Sequence, residues 1–196
     1  FCLSRGLGDV YKRQVQGEFL DLELTRKRTV TVEDYLEMVR LKTGALLAAP
    51  AAAGAIVGGA SMEQVEALYD FAERIGCAYQ VQDDVLDVMG DEERIGKPVF
   101  VDLKNGKRNV VLIHALANGS KAETTFLRRL LKKGSVSRAE ASDARVVFRR
   151  LGSPVYAREL AVRLADEGRG LLSSLRPSRA KDALLELSHV AVRRYA

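Results

Sequence analysis

Apolar residues recur at threes and fours along most of this chain, and the polar residues between them mark where each run stops. From Val65 to Met89, Leu68, Phe71, Ile75, Ala78, Tyr79, Leu86 and Met89 keep the spacing of one helical face. Ser61, with Gln64 three residues on, is a capping-box pattern opening that helix. Thr31 can cap a second helix, TVEDYLEMVRLKTGALLAAP, with Tyr35, Leu36 and Val39 as its apolar stripe. Ser120 with Glu123 and Ser137 with Glu140 are further capping boxes. Ser153 before Pro154 reads as a cap followed by proline at the first helical position. Pro177 separates the last two helices, and Pro50 is expected to kink its helix or start a new segment. Gly54 and Gly58, four apart, suggest close helix packing. No stretch alternates as a strand would, so the pattern predicts an all-α protein.

One run departs from this routine. In AYQVQDDVLDVMGDEERIGKPVFVDLKNGKR, residues 78 to 108, Gln80, Asp83, Asp84 and Asp87 stand at i, i+3, i+4 and i+7. On a helix of 3.6 residues per turn these share one face. Two unit charges ~4 Å apart interact by roughly 4 kcal/mol at an effective dielectric of 20, so such acids reach water, raise a pKa or bind a cation. Charged stripes are usually solvated faces. Here Tyr79, Val81, Val85, Leu86 and Val88 crowd the acids with apolar groups, so the helix reads as largely buried, and buried acids without a partner are rare. All-oxygen donors favour a hard ion, and Mg²⁺ typically takes one or two carboxylates plus substrate phosphates. Gly90 ends the pattern, and a loop follows that carries Lys97, Lys104, Lys107 and Arg108. A basic loop alone is weak evidence. Beside an acidic stripe it reads as the anion-holding half of a metal–diphosphate site. Lys42, beside Thr43 and Gly44, either snorkels to water or reaches the same anion.

These residues resemble the trans-isoprenyl diphosphate synthases, or polyprenyl synthetases. Gln80 and Asp83-Asp84-Val85-Leu86-Asp87 look like the family's second aspartate-rich motif. Gly96, Lys97, Asp102, Leu103, Gly106 and Lys107 follow its GK…DL…GK pattern. Lys42 to Gly44 is similar to its Lys-Thr pair, the segment from Gln16 to Leu22 to its glycine–acid–leucine stretch, and LGSPVYARELA to the opening of a late helix. The resemblance covers about residues 15 to 196 and is closest to short-chain enzymes of the farnesyl or geranylgeranyl type.

The resemblance implies an all-helical bundle around a central cavity, where Mg²⁺ ions bridge two aspartate-rich helices to an allylic diphosphate. It implies a prenyltransferase. The allylic carbocation is attacked head-to-tail by isopentenyl diphosphate, a proton leaves, and the product is five carbons longer. Carried over, Asp83 is the chief metal ligand, with Asp84 and Asp87 acting directly or through metal-bound water. Lys42 and Lys97 contact the allylic diphosphate, and Lys107 stands near the same pole. Thr43 and Gln80 turn oxygen dipoles toward the developing cation. The full-length protein is expected to be a homodimer.

No DDxxD pattern precedes Asp83, so the first aspartate-rich motif and its N-terminal helices are expected to be missing. Residues 1 to 14, FCLSRGLGDVYKRQ, fit neither the family nor an amphipathic pattern and lack the apolar run of a signal peptide. They read as foreign sequence, a translated adaptor joined to a truncated gene. On that reading the fragment alone is expected to be inactive and prone to aggregate, through apolar faces left uncovered.

Composition narrows the alternatives. A chain of 196 residues with 47% hydrophobic content suits one domain with a real core. Two cysteines, Cys2 and Cys77, make no disulfide framework, and a reducing cytoplasm is the simplest setting. Ala45 to Ala60 is apolar but too short, and too rich in Ala and Gly, to span a membrane. The net charge of +5 hides 14 Lys+Arg against 18 Asp+Glu before residue 121, and 17 against 8 from that residue onward. A basic nucleic-acid binder would rest on that end alone, where the arginines are scattered along amphipathic helices rather than clustered with aromatics. A non-catalytic subunit of a two-protein prenyl synthase is the other alternative. The intact Asp83, Asp84, Asp87, Lys97 and Lys107 argue against it.

Overall fold

The computed structural model describes residues 3–96 and 98–193. Lys97 therefore lies outside the described residues. Among them no strand occurs. Helices α1 (Leu3–Arg26) and α2 (Val32–Val39) lead into a π-helical turn, Arg40–Gly44, which runs directly into α3 (Ala45–Val57). The long α4 (Met62–Met89) is followed by two single turns, α5 (Glu92–Ile95) and α6 (Val101–Lys104). Then come α7 (Val110–Asn118), α8 (Lys121–Lys133), α9 (Arg138–Arg150), α10 (Ser153–Leu171) and α11 (Arg179–Arg193).

Four of the caps that the sequence indicates form as expected. Ser61 and Gln64 exchange reciprocal bonds, from Ser61 N to Gln64 Oε1 (3.0 Å) and from Gln64 N to Ser61 Oγ (3.3 Å). Thr31 and Asp34 do the same at the start of α2. The boxes at Ser120–Glu123 and Ser137–Glu140 are both closed. Ser153 departs from expectation. It begins α10, and its buried hydroxyl meets His114 Nδ1 at 3.0 Å, while the His114 ring stacks on that of Tyr156. Pro50 stands inside α3 without ending it.

Glu123 and Glu140 both titrate far below an ordinary glutamate, at about 2. Ser120 and then Arg150 hold the first down; Lys133 and then Ser137 hold the second. A carboxylate depressed by folding stabilises the fold above its unfolded pKa and loses that contribution as the pH falls through its folded one. The stability gap between wild type and a Glu123→Gln/Glu140→Gln variant should therefore be full at pH 6. It should shrink below the ordinary value of 4.5 and vanish near 2. Urea titrations of both proteins at pH 6 and pH 3 check this, and an equal gap at the two values would contradict it.

By internal packing the chain forms two units. The first comprises the part of α1 up to Phe19, Leu36–Gln80, and the residues from Leu160 onward. Its core includes Val39, Ala45, Ala48, Phe71, Ala78, Ala161, Ala165 and Leu172. Cys77 lies among them as a small hydrophobe, its thiol pushed up to about 12 by burial. The second comprises Leu20–Tyr35 and Val81–Glu159, around Leu103, Val110, Leu112, Leu127, Leu130 and Phe148.

Three glycines draw the first unit together. A Cβ on Gly17 of α1 would fall 2.4 Å from Lys42 N and 2.6 Å from Lys42 Cα, so the helix lies directly on the π turn. On the other side, a Cβ on Gly76 of α4 would fall 2.9 Å from Gly44 Cα. The expected packing pair behaves differently. Gly54 has open space around it, and a Cβ on Gly58 would meet only carbonyls of its own helix. Gly58 and Gly59 instead end α3, with Gly59 at φ 73° and Ala60 N donating to Ala55 O. Tyr11, Val15 and Phe19, four apart on α1, are exposed. Among the described residues, no helix is long and apolar enough to cross a membrane.

Candidate functional site

The π turn decides where Lys42 and Thr43 stand. Such turns admit one residue more than an α-helical turn and recur at functional positions. Thr43 Oγ1 donates to Gln80 Oε1 at 3.2 Å, so the structure brings together the two neutral oxygen groups that the motifs single out. Lys42 pairs with Glu18 at 2.9 Å, from the helical turn that also carries Gly17. Glu73 lies buried beside the turn, its carboxyl raised by burial and partly lowered by Arg40.

The aspartates lie on the last turns of α4. Val81, Val85 and Val88 are buried, as the apolar crowding indicated, whereas Tyr79 is 36% exposed. The three carboxylates differ. Asp83 is partly exposed. Asp84 is buried and accepts Val110 N at 3.2 Å, so it sits at the N-terminus of α7, where a negative charge is favoured. Asn109 caps the same helix by accepting Leu112 N. Asp87 is buried and turned to the loop: one oxygen accepts Val101 N at 2.9 Å and the other Asp102 N at 3.3 Å. The even metal-facing stripe expected from spacing is therefore graded, with Asp83 outermost.

Lys107 pairs with the buried Asp21 at 2.9 Å, and Arg108 reaches Thr25 O. Asp102 is raised by burial, with Asn109 and Lys107 pulling it down and Asp21 and Asp83 pushing it up. Spacing did not reveal Glu18 and Asp21 as lysine partners. The signal was present in the segment from Gln16 to Leu22, where two acids three apart follow a glycine. The two pairs should differ in worth. Lys42→Met breaks a half-exposed pair and should cost under about 1 kcal/mol. Lys107→Met takes the paired cation from a buried carboxylate and should cost roughly 2 kcal/mol. Denaturant midpoints of the two variants test this ordering.

Among the described residues, no three His, Cys, Asp or Glu side chains gather closely enough to hold a metal. The donors are all hard oxygens, and Asp83 is accessible. That set fits an ion such as Mg²⁺ whose remaining ligands are water and phosphate oxygens, and does not fit a closed protein cage.

The helical architecture and these motifs define an isoprenoid-synthase fold. A model of the polyprenyl synthetase family matches residues 3–147, and the chain belongs to that family. The match begins inside the stretch whose sequence looked foreign, and α1 runs unbroken from Leu3 through the rest of it. The chain is 38% identical to the short chain isoprenyl diphosphate synthase of Methanothermobacter thermautotrophicus over 182 residues, covering 91% of this chain and 54% of that protein. A polyprenyl synthase from Caulobacter crescentus, solved with calcium and isoprenyl diphosphate, superposes with a TM-score of 0.92 at 30% identity, covering 99% of this chain and 59% of that one. A geranylgeranyl pyrophosphate synthase from Corynebacterium glutamicum, solved with isoprenyl diphosphate and magnesium, gives 0.90 at 27%, covering 98% and 55%. The chain spans about half the length of the curated relatives it matches.

Proposed function

We propose that this chain is the diphosphate-binding part of a prenyltransferase that condenses an allylic diphosphate with isopentenyl diphosphate, head to tail. The observation that carries the reading is the grading of the aspartates within a polyprenyl-synthetase sequence. Asp83 is partly exposed, while Asp87 braces the lysine-bearing segment and Asp84 the helix that follows it. In this role Asp83, supported by Asp84, holds Mg²⁺. When bound, Mg²⁺ neutralises charge on the departing diphosphate. Lys42, Lys97 and Lys107 hold the diphosphate oxygens, exchanging their present partners for the ligand where they have them. Lysine suits this as a compact point charge with three rotatable donors. Thr43 and Gln80 present oxygen dipoles to the cation that forms on the allyl group. Neither is a strong nucleophile, so the cation survives to meet the double bond of isopentenyl diphosphate. Five carbons are added at each condensation.

The test is a chimera in which these residues replace the matching half of the Methanothermobacter synthase. Supplied with Mg²⁺, isopentenyl diphosphate and geranyl diphosphate, it should form longer prenyl diphosphates. A folded chimera that binds Mg²⁺-diphosphate but never elongates the allylic substrate would refute the reading.

A further inference from the structure

The loop after the aspartate helix contains a backbone conformation that needs support. Phe100 is buried at φ 59° and ψ 24°, the left-handed region, and no other non-glycine residue described here has a positive φ. A bulky side chain holds such a conformation only where its surroundings over-determine it. Two residues do so. Asp87 grips the turn with three atoms: its backbone oxygen accepts Phe100 N at 2.7 Å, and its two carboxylate oxygens accept Val101 N and Asp102 N. Arg145 of α9 acts from the far side. It donates to Val88 O and Gly90 O, each at 2.9 Å, and its guanidinium lies 5.2 Å over the Phe100 ring. Beyond the turn the restraint continues through α6. Asp102 O accepts Lys107 N at 2.9 Å, and Asp102 Oδ2 accepts Asn109 Nδ2 at 3.3 Å.

We propose that Asp87 is a positioning residue that sets Lys107 through the Phe100 turn and α6, with Arg145 locking the same turn, rather than a ligand of the metal. The proposal rests on reading the site as one for a metal-bound diphosphate. To face an ion, Asp87 would have to release two backbone N–H groups at the start of α6 and leave Phe100 without its restraint. Asp83, four residues earlier, is the partly exposed member of the three.

The test uses the 196-residue chain, amide hydrogen exchange, and calorimetry with inorganic diphosphate and Mg²⁺. Asp87→Asn preserves shape, but its Nδ2 cannot accept a backbone N–H, so one bond is lost. Exchange across residues 101 to 107 should accelerate about tenfold or more, with α8 unchanged. Diphosphate affinity at saturating Mg²⁺ should fall about tenfold, while the half-saturating Mg²⁺ concentration moves by less than about twofold. Asp87→Asn should add nothing to Lys107→Met in the double variant. Arg145→Lys, a cation that cannot ligate a metal, should reproduce the pattern more mildly, and it carries the test if Asp87→Asn fails to fold.

The proposal is overturned if Asp87→Asn raises the Mg²⁺ requirement about tenfold with exchange unchanged, or if its effect is additive with that of Lys107→Met. If the wild-type chain binds no Mg²⁺-diphosphate, the functional reading fails for this chain. Unaltered exchange at residues 101 to 107 in Asp87→Asn would separately remove the clamp.

Discussion

Gly17→Ala is expected to destabilise the chain by about 3 kcal/mol, a fall in melting temperature of roughly 9 °C. Helix propensity alone argues the other way, since alanine gains about 1 kcal/mol over glycine inside a helix. Steric overlap decides. The new methyl group would fall 2.4 Å from Lys42 N and 2.6 Å from Lys42 Cα, and backbone atoms cannot swing aside as a side-chain tip can. Relief would require moving α1 away from the π turn and disturbing the Lys42–Glu18 pair beside it. Gly8→Ala is the control. It lies on the same helix with nothing within 4 Å, and should be neutral or gain up to about 1 kcal/mol. Thermal melts of both variants test the argument. Equal stabilities would mean that α1 does not approach the turn so closely.

Asp83→Ala in the chimera is expected to lower the rate of prenyl transfer about a thousandfold at saturating Mg²⁺, equivalent to roughly 4 kcal/mol of lost transition-state stabilisation. The fold should tolerate the change, because Asp83 is the partly exposed member of the three. Asp84→Ala should instead lower stability as well, by roughly 2 kcal/mol, because it removes the acceptor of Val110 N at the start of a buried helix. Activity, Mg²⁺ dependence and unfolding midpoints measured on the same preparations separate these outcomes. Near-normal turnover by a folded Asp83→Ala chimera would remove Asp83 from the metal site.

Much of the fold was readable in the sequence because helix starts are local. Ser61–Gln64, Ser120–Glu123 and Ser137–Glu140 each announce themselves within four residues, as Thr31 does alone, and each cap forms as read. The π turn was not readable. Over the five residues Arg40–Gly44, an apolar pattern cannot separate a wider turn from an α-helical one. The glycines went wrong for a related reason. Gly54 and Gly58 have a packing spacing but meet no neighbouring helix, while the glycines in contact, Gly17, Gly44 and Gly76, lie far apart in sequence. In the site, the Thr43–Gln80 meeting follows the motif reading. The inward commitment of Asp87 depends on a loop more than ten residues downstream, and helical spacing treats all three aspartates alike.

The π turn also makes chain length matter in a way no substitution can. It holds one residue beyond what an α-helix needs, and its five residues sweep about the same angle as four in an α-helix, so the segments on either side stay in phase. Deleting a single residue from Arg40–Gly44 would therefore let the backbone continue as uninterrupted α-helix with Val39 still in the core. The loss would fall on the turn itself, where Thr43 could not keep its place opposite Gln80. A one-residue gap within this segment of a homologous sequence should leave the fold intact and remove that contact.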